Sequence, residues 1–300
     1  MNSEFRIPNC QGKPITMRYN QRRKIEALVI SDVHLGTYGC HASELVRYLK
    51  SVAPKKLILN GDIIDIWQFS KKYFPKEHMA VVKEITRMLS HGVEVYYIPG
   101  NHDEMLRKFA GNRIGNFYID NKVLLELDGK KVWIFHGDVF DVTMKFSPMI
   151  AKLGGKGYDM LILVNRMVNR LLEKFGRDKI SLSKKIKDSV KAAVKFVNDF
   201  ENTAIKLGIH NQYDYVVCGH IHKPAIRDVK TADGNIIYMN SGDWIENLTA
   251  LEYNDGEWKL FVYDDAVLPE LDSSDDQDKL MSMNSKELFK LLTLEFEMVS

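Results

Sequence analysis

The stretch Ala27-Leu28-Val29-Ile30-Ser31-Asp32-Val33-His34 carries the pattern on which the fold turns. Four apolar residues of strand length end in a polar turn that offers an aspartate and a histidine two positions apart. The arrangement recurs down the chain. Leu57-Ile58-Leu59-Asn60 runs into Gly61-Asp62-Ile63-Ile64-Asp65, and Val95-Tyr96-Tyr97-Ile98-Pro99 into Gly100-Asn101-His102-Asp103. Val132-Trp133-Ile134-Phe135 leads to His136-Gly137-Asp138, and Tyr215-Val216-Val217-Cys218 to Gly219-His220-Ile221-His222. Parallel strands gather their carboxyl ends at one sheet edge, so these turns are expected to converge there. One such turn is ordinary. Five, all at strand ends and all bearing Asp, Asn or His, predict a single cluster. On extended chain the i, i+2 spacing of Asp32 with His34, and of His220 with His222, points both side chains of each pair the same way.

Helical patterns separate the strands and make the chain α/β. Residues 41–52 (HASELVRYLKSV) bring Leu45, Val46 and Leu49 to one side, and Met79–Leu89 is a second amphipathic helix closed at Gly92. Asp128-Gly129 predicts a tight hairpin within residues 123–135. Further strands are expected at Ile236–Met239 and Leu260–Tyr263. Between residues 141 and 208 the strand signal vanishes in favour of two helices, Tyr158–Phe175 and Lys184–Ile205, an insertion into the α/β chain. Its apolar residues, among them Met160, Leu161, Val164 and Leu171, interleave with Arg166, Arg170 and Lys174. Residues 264–300 form an acidic tail.

Composition narrows the class. With 300 residues, 45% hydrophobic and 27% charged, the chain can bury a substantial core, which excludes a disordered or disulfide-stapled protein. There is no apolar run of membrane-spanning length, and the opening residues MNSEFRIPNCQGK lack the apolar core of a secretory signal. Cys10, Cys40 and Cys218 are odd in number and widely spaced, so a reducing, cytoplasmic setting is expected. The net charge of +2 conceals an asymmetry. Lys145 to Lys195 carries 13 Lys/Arg against 4 Asp/Glu, a balance of +9, whereas Asp264 to Ser300 carries 3 against 10, a balance of −7. The middle segment is expected to meet something anionic.

The donor types at the strand ends suit two divalent ions. Carboxylate, imidazole and amide oxygen favour Mn, with Fe or Zn as alternatives, over a thiolate-bound metal. Asp62 is placed to bridge, since a carboxylate has two oxygens to share. Two such ions, roughly 3.5–4 Å apart, turn water into the nucleophile of an in-line displacement at phosphorus.

The ordered set Asp32-x-His34, Gly61-Asp62-x-x-Asp65, Gly100-Asn101-His102-Asp103, His136-Gly137-Asp138 and Gly219-His220-x-His222 resembles the calcineurin-like metallophosphoesterase superfamily, over about residues 25–263. The resemblance implies two mixed β-sheets packed as a sandwich and flanked by helices. It implies that Asp32, His34, Asp62 and His222 hold one metal, and Asp62, Asn101, His136 and His220 the other. His102 would contact the phosphate or assist the leaving group, with Asp103 orienting it.

Within the superfamily the chain looks most like the UDP-2,3-diacylglucosamine pyrophosphatases of lipid A synthesis, which carry a helical insertion between the HGD and GHxH motifs. That likeness implies hydrolysis of a UDP-linked acylated sugar to UMP and 2,3-diacylglucosamine 1-phosphate. The insertion would then be an acyl-binding cap, or would rest on an anionic membrane surface at the cytoplasmic face of the inner membrane. Ser183, Lys184 and Lys187 open its second helix and are candidate substrate contacts. Arg107 is a further phosphate contact or a solvated surface charge. Trp244, in Asn240-Ser241-Gly242-Asp243-Trp244, stacks on a sugar or base or else belongs to the core. One departure stands out: His102 occupies a position where Arg is expected in that pyrophosphatase family. Histidine can donate a proton, which helps an alkyl or sugar ester more than a diphosphate. The alternative substrate is therefore a phosphomonoester, a cyclic nucleotide or a nucleic-acid phosphodiester. Of these, nucleic acid fits least, because a nucleic-acid groove interleaves exposed aromatics with its basic residues.

Overall fold

The computed structural model describes Tyr19 and residues 22–66, 74–140 and 183–266. Two mixed sheets lie face to face. The first has seven strands: β1 (Arg23–Ile30), β2 (Val52–Asn60), β3 (Glu94–Ile98), β4 (Asn112–Ile114), β5 (Phe117–Ile119), β11 (Thr249–Asn254) and β12 (Glu257–Val262), in the order β12-β11-β1-β2-β3-β5-β4. The second has five: β6 (Val123–Leu127), β7 (Lys130–Ile134), β8 (Tyr215–Cys218), β9 (Ala225–Thr231) and β10 (Gly234–Asn240), in the order β6-β7-β8-β10-β9.

Alternation along each strand builds the layers. In β1, Ala27 and Val29 join Val132, Ile134, Val217 and Met239 in the core between the sheets. Leu28 and Ile30 face the other way, into a core shared with α1 (Ala42–Ser51) and α2 (Lys76–Ser90). On the outer face of the second sheet, Val216, Cys218 and Tyr238 pack with Phe200, Ala204 and Ile205 of α3 (Ser183–His210). The result is the expected sandwich with helices on both sides.

Register makes the strand exits level. β1, β2 and β3 are parallel, with Ile30 opposite Leu59 and Asn60 opposite Ile98. β7, β8 and β10 are parallel in the second sheet, with Ile134 opposite Val217 and Cys218 opposite Asn240. The chain thus leaves both sheets along one common rim. The Asp128-Gly129 hairpin forms as expected, both residues having positive φ (49° and 74°), which matches the right-handed strand twist.

Several boundaries differ from the sequence expectation. The last strand is Glu257–Val262, and α3 extends past the expected Ile205 to His210. The sequence reading missed β4, β5 and β9: β4 and β5 are only three residues long, and the edge strand β9 (AIRDVKT) is largely exposed and carries alternating charge. The expected helix Tyr158–Phe175 lies outside the described residues, as does nearly all of the acidic tail. No helix among the described residues is long and apolar enough to cross a membrane.

Candidate metal centre

At the rim the backbone turns sharply. Asp32, His34, Asp62, His220 and His222 all adopt positive φ, between 51° and 67°. For residues with a Cβ this left-handed region costs roughly 1–2 kcal/mol each. Five such residues at one place are a concentration of strain, held by main-chain bonds across the turns: Asp32 N–H to Gly61 O (3.0 Å), His34 N–H to Asp62 O (2.9 Å) and Gly219 N–H to His136 O (3.0 Å). Asp32 and His34 therefore meet in tight turns, and so do His220 and His222, rather than in the extended conformation the spacing predicts. Gly61, at φ 82°, passes beneath the His136 ring so closely that a Cβ there would overlap its Nδ1. A Cβ at Gly100 would fall on the Asp62 carboxylate and 2.7 Å from its backbone nitrogen.

These turns bring the donors together. His136 Nδ1 donates to Asn60 O (2.8 Å), which turns Nε2 toward Asp62 Oδ2 at 3.4 Å. The same oxygen lies 3.9 Å from His34 Nε2, so Asp62 Oδ2 stands between histidines of the two sheets. Asp62 Oδ1 accepts the His102 N–H (2.8 Å). Asp32 Oδ2 accepts the His220 N–H (3.1 Å), and its Oδ1 faces His222 Nε2 at 3.1 Å. Donor atoms of Asp32, His34 and His222 lie within 4.8 Å of one another, and so do those of Asp62, His136 and His220. His34 Nε2 and Asn101 Oδ1 are buried and without hydrogen-bond partners, and Asp32 Oδ1 and His136 Nε2 are buried with only the facing ring or carboxylate beside them. Two orphaned donor atoms and two that meet only each other's kind of group at one rim fit divalent cations, which supply the missing partners.

Proton affinities follow contact geometry. Burial, with the like charges of His102 and His222 beside it, carries the His34 pKa down to about 4 against the pull of Asp62 and Asp32. Burial also opposes charge on His136 and His222, yet the Asp62 carboxylate lifts the first to about 10 and the Asp32 carboxylate lifts the second to about 9. The two carboxylates stay below their ordinary range despite burial, Asp32 through His222 and Asp62 through His136.

The remaining expected residues divide. Asp103 does not orient His102. Its Oδ2 accepts the Tyr97 hydroxyl (2.6 Å) and the Ile63 N–H (2.9 Å), and Oδ1 accepts the Gly100 N–H, so this buried carboxylate ties the β2 turn to the β3 turn. The partner of His102 Nδ1 is Asp65 Oδ2, at 3.0 Å. Asp65 is visible in the quoted motif, four residues after Gly61, but sequence offered no reason to prefer it over the adjacent Asp103. Burial is the largest influence on the His102 pKa and lowers it, but the Asp65 bond together with the charges of Asp62, Asp65 and Asp103 outweighs it, so the net shift is upward. Arg107 is held by Asp138 (2.6 Å), which joins the His102 turn to the His136 turn. Trp244 is fully buried between Tyr48 and Tyr263 and so is a core residue with no face free for a sugar or base. Ser183, Lys184 and Lys187 lie in the first turns of α3, within its described backbone. Further along α3, Phe196 and Phe200 pack their rings against His220 (6.5 and 6.1 Å between centroids).

The chain is 26% identical over 243 residues to a UDP-2,3-diacylglucosamine hydrolase of Aliivibrio fischeri, an alignment covering 78% of this chain and 96% of that protein. It is 28% identical over 249 residues to the protein of the same name from Aeromonas salmonicida, covering 79% and 92%. Among solved structures, an archaeal phosphodiesterase aligns over 79% of this chain and 98% of its own, at 15% identity and a TM-score of 0.38. The family model described as calcineurin-like phosphoesterase matches residues 25–224, a span that contains every strand-end motif of the rim, and the chain belongs to that family of metal-dependent hydrolases.

Proposed function

We propose that the protein hydrolyses the diphosphate of UDP-2,3-diacylglucosamine to UMP and 2,3-diacylglucosamine 1-phosphate. Asp32, His34, Asp62 and His222 would hold one divalent ion, Mn in the first instance, and Asp62, Asn101, His136 and His220 a second. The observation that carries the dinuclear reading is Asp62 Oδ2, which stands 3.4 Å from His136 Nε2 and 3.9 Å from His34 Nε2. When bound, such a pair acidifies water and neutralises charge on a phosphoryl group. The protein's own part is to fix the donors. The Asn60 carbonyl sets the His136 tautomer, and the His102 N–H occupies Asp62 Oδ1 and leaves Oδ2 for the rim. His102, a fifth exposed, is near enough to the rim to hold a proton against a phosphate oxygen while Asp65 holds its other nitrogen. Water would add its oxygen to one phosphorus and give up a proton to solvent as the P–O–P link breaks, and the other phosphorus would leave as a phosphomonoester anion, which needs no full proton.

The choice of substrate rests on the similarity to the two hydrolases and on the insertion between the HGD and GHxH motifs, with its +9 balance from Lys145 to Lys195 and its apolar stripes. Ser183, Lys184 and Lys187 are proposed to meet the anionic part of the substrate, and the insertion to touch an anionic membrane surface. Incubating the purified full chain with Mn²⁺ and UDP-2,3-diacylglucosamine is expected to release UMP. No UMP, with simpler phosphoesters turned over, rejects this substrate.

The His102–Asp65 pair favours a second reading. An imidazole held by a carboxylate and raised in pKa is suited to protonating a basic leaving group. A phosphomonoester or cyclic nucleotide would use that proton, and faster hydrolysis of either than of the UDP-linked sugar selects this reading. Nucleic acid would instead show binding that weakens steeply with salt.

A further inference from the structure

Beneath His222 lies the segment Asn240–Asn247, which the metal-ligand motifs do not include. Asp243 is fully buried. Its Oδ1 accepts the backbone N–H groups of Ile245 (2.8 Å), Glu246 (2.6 Å) and Asn247 (3.2 Å). Its Oδ2 accepts the Asn247 side-chain amide and faces His222 Nδ1 at 3.9 Å. The same amide nitrogen donates to the His222 carbonyl (3.0 Å). His222 is thus gripped at its backbone by Asn247 and watched at one ring nitrogen by Asp243, while its other nitrogen faces Asp32.

The segment also spans both sheets. Ser241 Oγ and Ser31 Oγ lie 2.7 Å apart, Asn240 donates to Gly219 O (2.8 Å), and the Trp244 N–H reaches Asp32 O (3.1 Å). All of these groups are buried, so the polar net is sheltered from water, where each bond counts for more.

We propose that Asp243 and Asn247 are positioning residues of the metal centre. This inference rests on the proposed ligand role of His222. A carboxylate facing Nδ1 stabilises the tautomer with its proton there and so leaves the Nε2 lone pair for a cation. At 3.9 Å the contact is electrostatic and not a hydrogen bond, so orientation of the ring depends equally on the Asn247 clamp that holds the His222 backbone at φ 51°. Removing such an outer partner of a metal-bound histidine weakens metal binding by about 10–100-fold.

The test is Mn²⁺ binding to the full chain freed of metal, followed by calorimetry, in the wild type, Asp243→Asn and Asn247→Ser. The wild type is expected to bind two ions. Each variant is expected to bind one ion as before and the other about 10–100-fold more weakly. Two wild-type affinities in Asp243→Asn overturn the inference. A wild type that binds no ion overturns the metal-centre reading itself, a different outcome. A second measurement needs no variant at Asp243: ¹⁵N imidazole shifts of the Zn²⁺-loaded wild type, with the His222 signal identified by its loss in His222→Gln. They are expected to show Nδ1 protonated and Nε2 bound. An unprotonated Nδ1 at His222 refutes the role of Asp243 even if both substituted chains fail to fold.

Discussion

The two halves of the centre differ in the charge they hold. His34, on the first sheet, lies 3.9 Å from each of its two nearest carboxylates, Asp62 and Asp65, and burial drives its pKa down to about 4. His136 and His222, on the second sheet, lie 3.4 and 3.1 Å from Asp62 and Asp32, and theirs rise to about 10 and about 9 although burial opposes the charge on each. Between His34 and His136, both buried, half an ångström of approach to Asp62, together with the like charges of His102 and His222 beside His34, separates the imidazole that stays neutral from the one that carries a proton. The first sheet supplies negative charge and a neutral ring; without metal, the second supplies the balancing positive charge as protons. A cation entering the rim competes with those protons.

Asp62 joins the halves, and its loss should have the largest effect. Asp62→Ala is expected to lower phosphoesterase turnover by at least about 10³-fold, the scale of removing a preorganised charge-stabilising group, and to reduce Mn²⁺ stoichiometry below two. Two ions bound with wild-type affinity would break the comparison at its centre. His136→Ala should cut activity sharply while sparing more of the first-sheet site; unchanged turnover refutes the assignment of His136.

Next in size is the His102–Asp65 pair. His102→Ala is expected to lower turnover of a phosphomonoester or cyclic nucleotide by about 10²–10⁴-fold with two ions still bound, as for loss of a general acid, and turnover of the UDP-linked diphosphate by less. Because Asp65 raises the His102 pKa, the acid form persists to higher pH than an unperturbed imidazole allows and is lost as pH rises through the raised value. Asp65→Asn should move that alkaline fall in rate to lower pH. A pH–rate profile that does not move, or lacks an alkaline limb, shows that the leaving group takes no proton from His102.

Metal loading gives a smaller and more selective effect. At neutral pH the metal-free chain holds protons on His136 and His222 but not on His34, so binding two ions should displace about two protons from these rings. Calorimetry in buffers of different ionisation enthalpy counts them. Affinity should rise with pH up to about 9–10, where the rings lose their protons without metal. Affinity independent of pH between 7 and 10 contradicts the contrast between the sheets.

The smallest effect separates the rim from the core beside it. Trp244→Phe should lower stability by about 1–3 kcal/mol, as for a partly filled core site, and leave KM unchanged. A raised KM with unchanged melting temperature would return Trp244 to the substrate.

Which residues meet was legible because ligand types recur where apolar runs stop, and a parallel sheet makes those stops neighbours. The layered α/β architecture followed from the same alternation. Edge strands such as β9 escaped notice because a strand with no buried face leaves no apolar period to read. Asp103 and Asp65 show the limit inside the site: the two are chemically identical, and only the placement of Tyr97 and Gly100 against one, and His102 against the other, separates a carboxylate that ties turns together from one that orients an imidazole.

The sequence by itself determined the donor inventory and the common rim, because residue type and hydrophobic period are local properties that survive without coordinates. Tertiary structure alone decided the left-handed turns that aim Asp32, His34, Asp62, His220 and His222, the shared position of Asp62 Oδ2, and the clamp of Asn247 on His222. These depend on distances of a few ångströms between residues up to about two hundred positions apart. Electrostatics and hydrogen bonding act at that range, and one-dimensional spacing does not encode it.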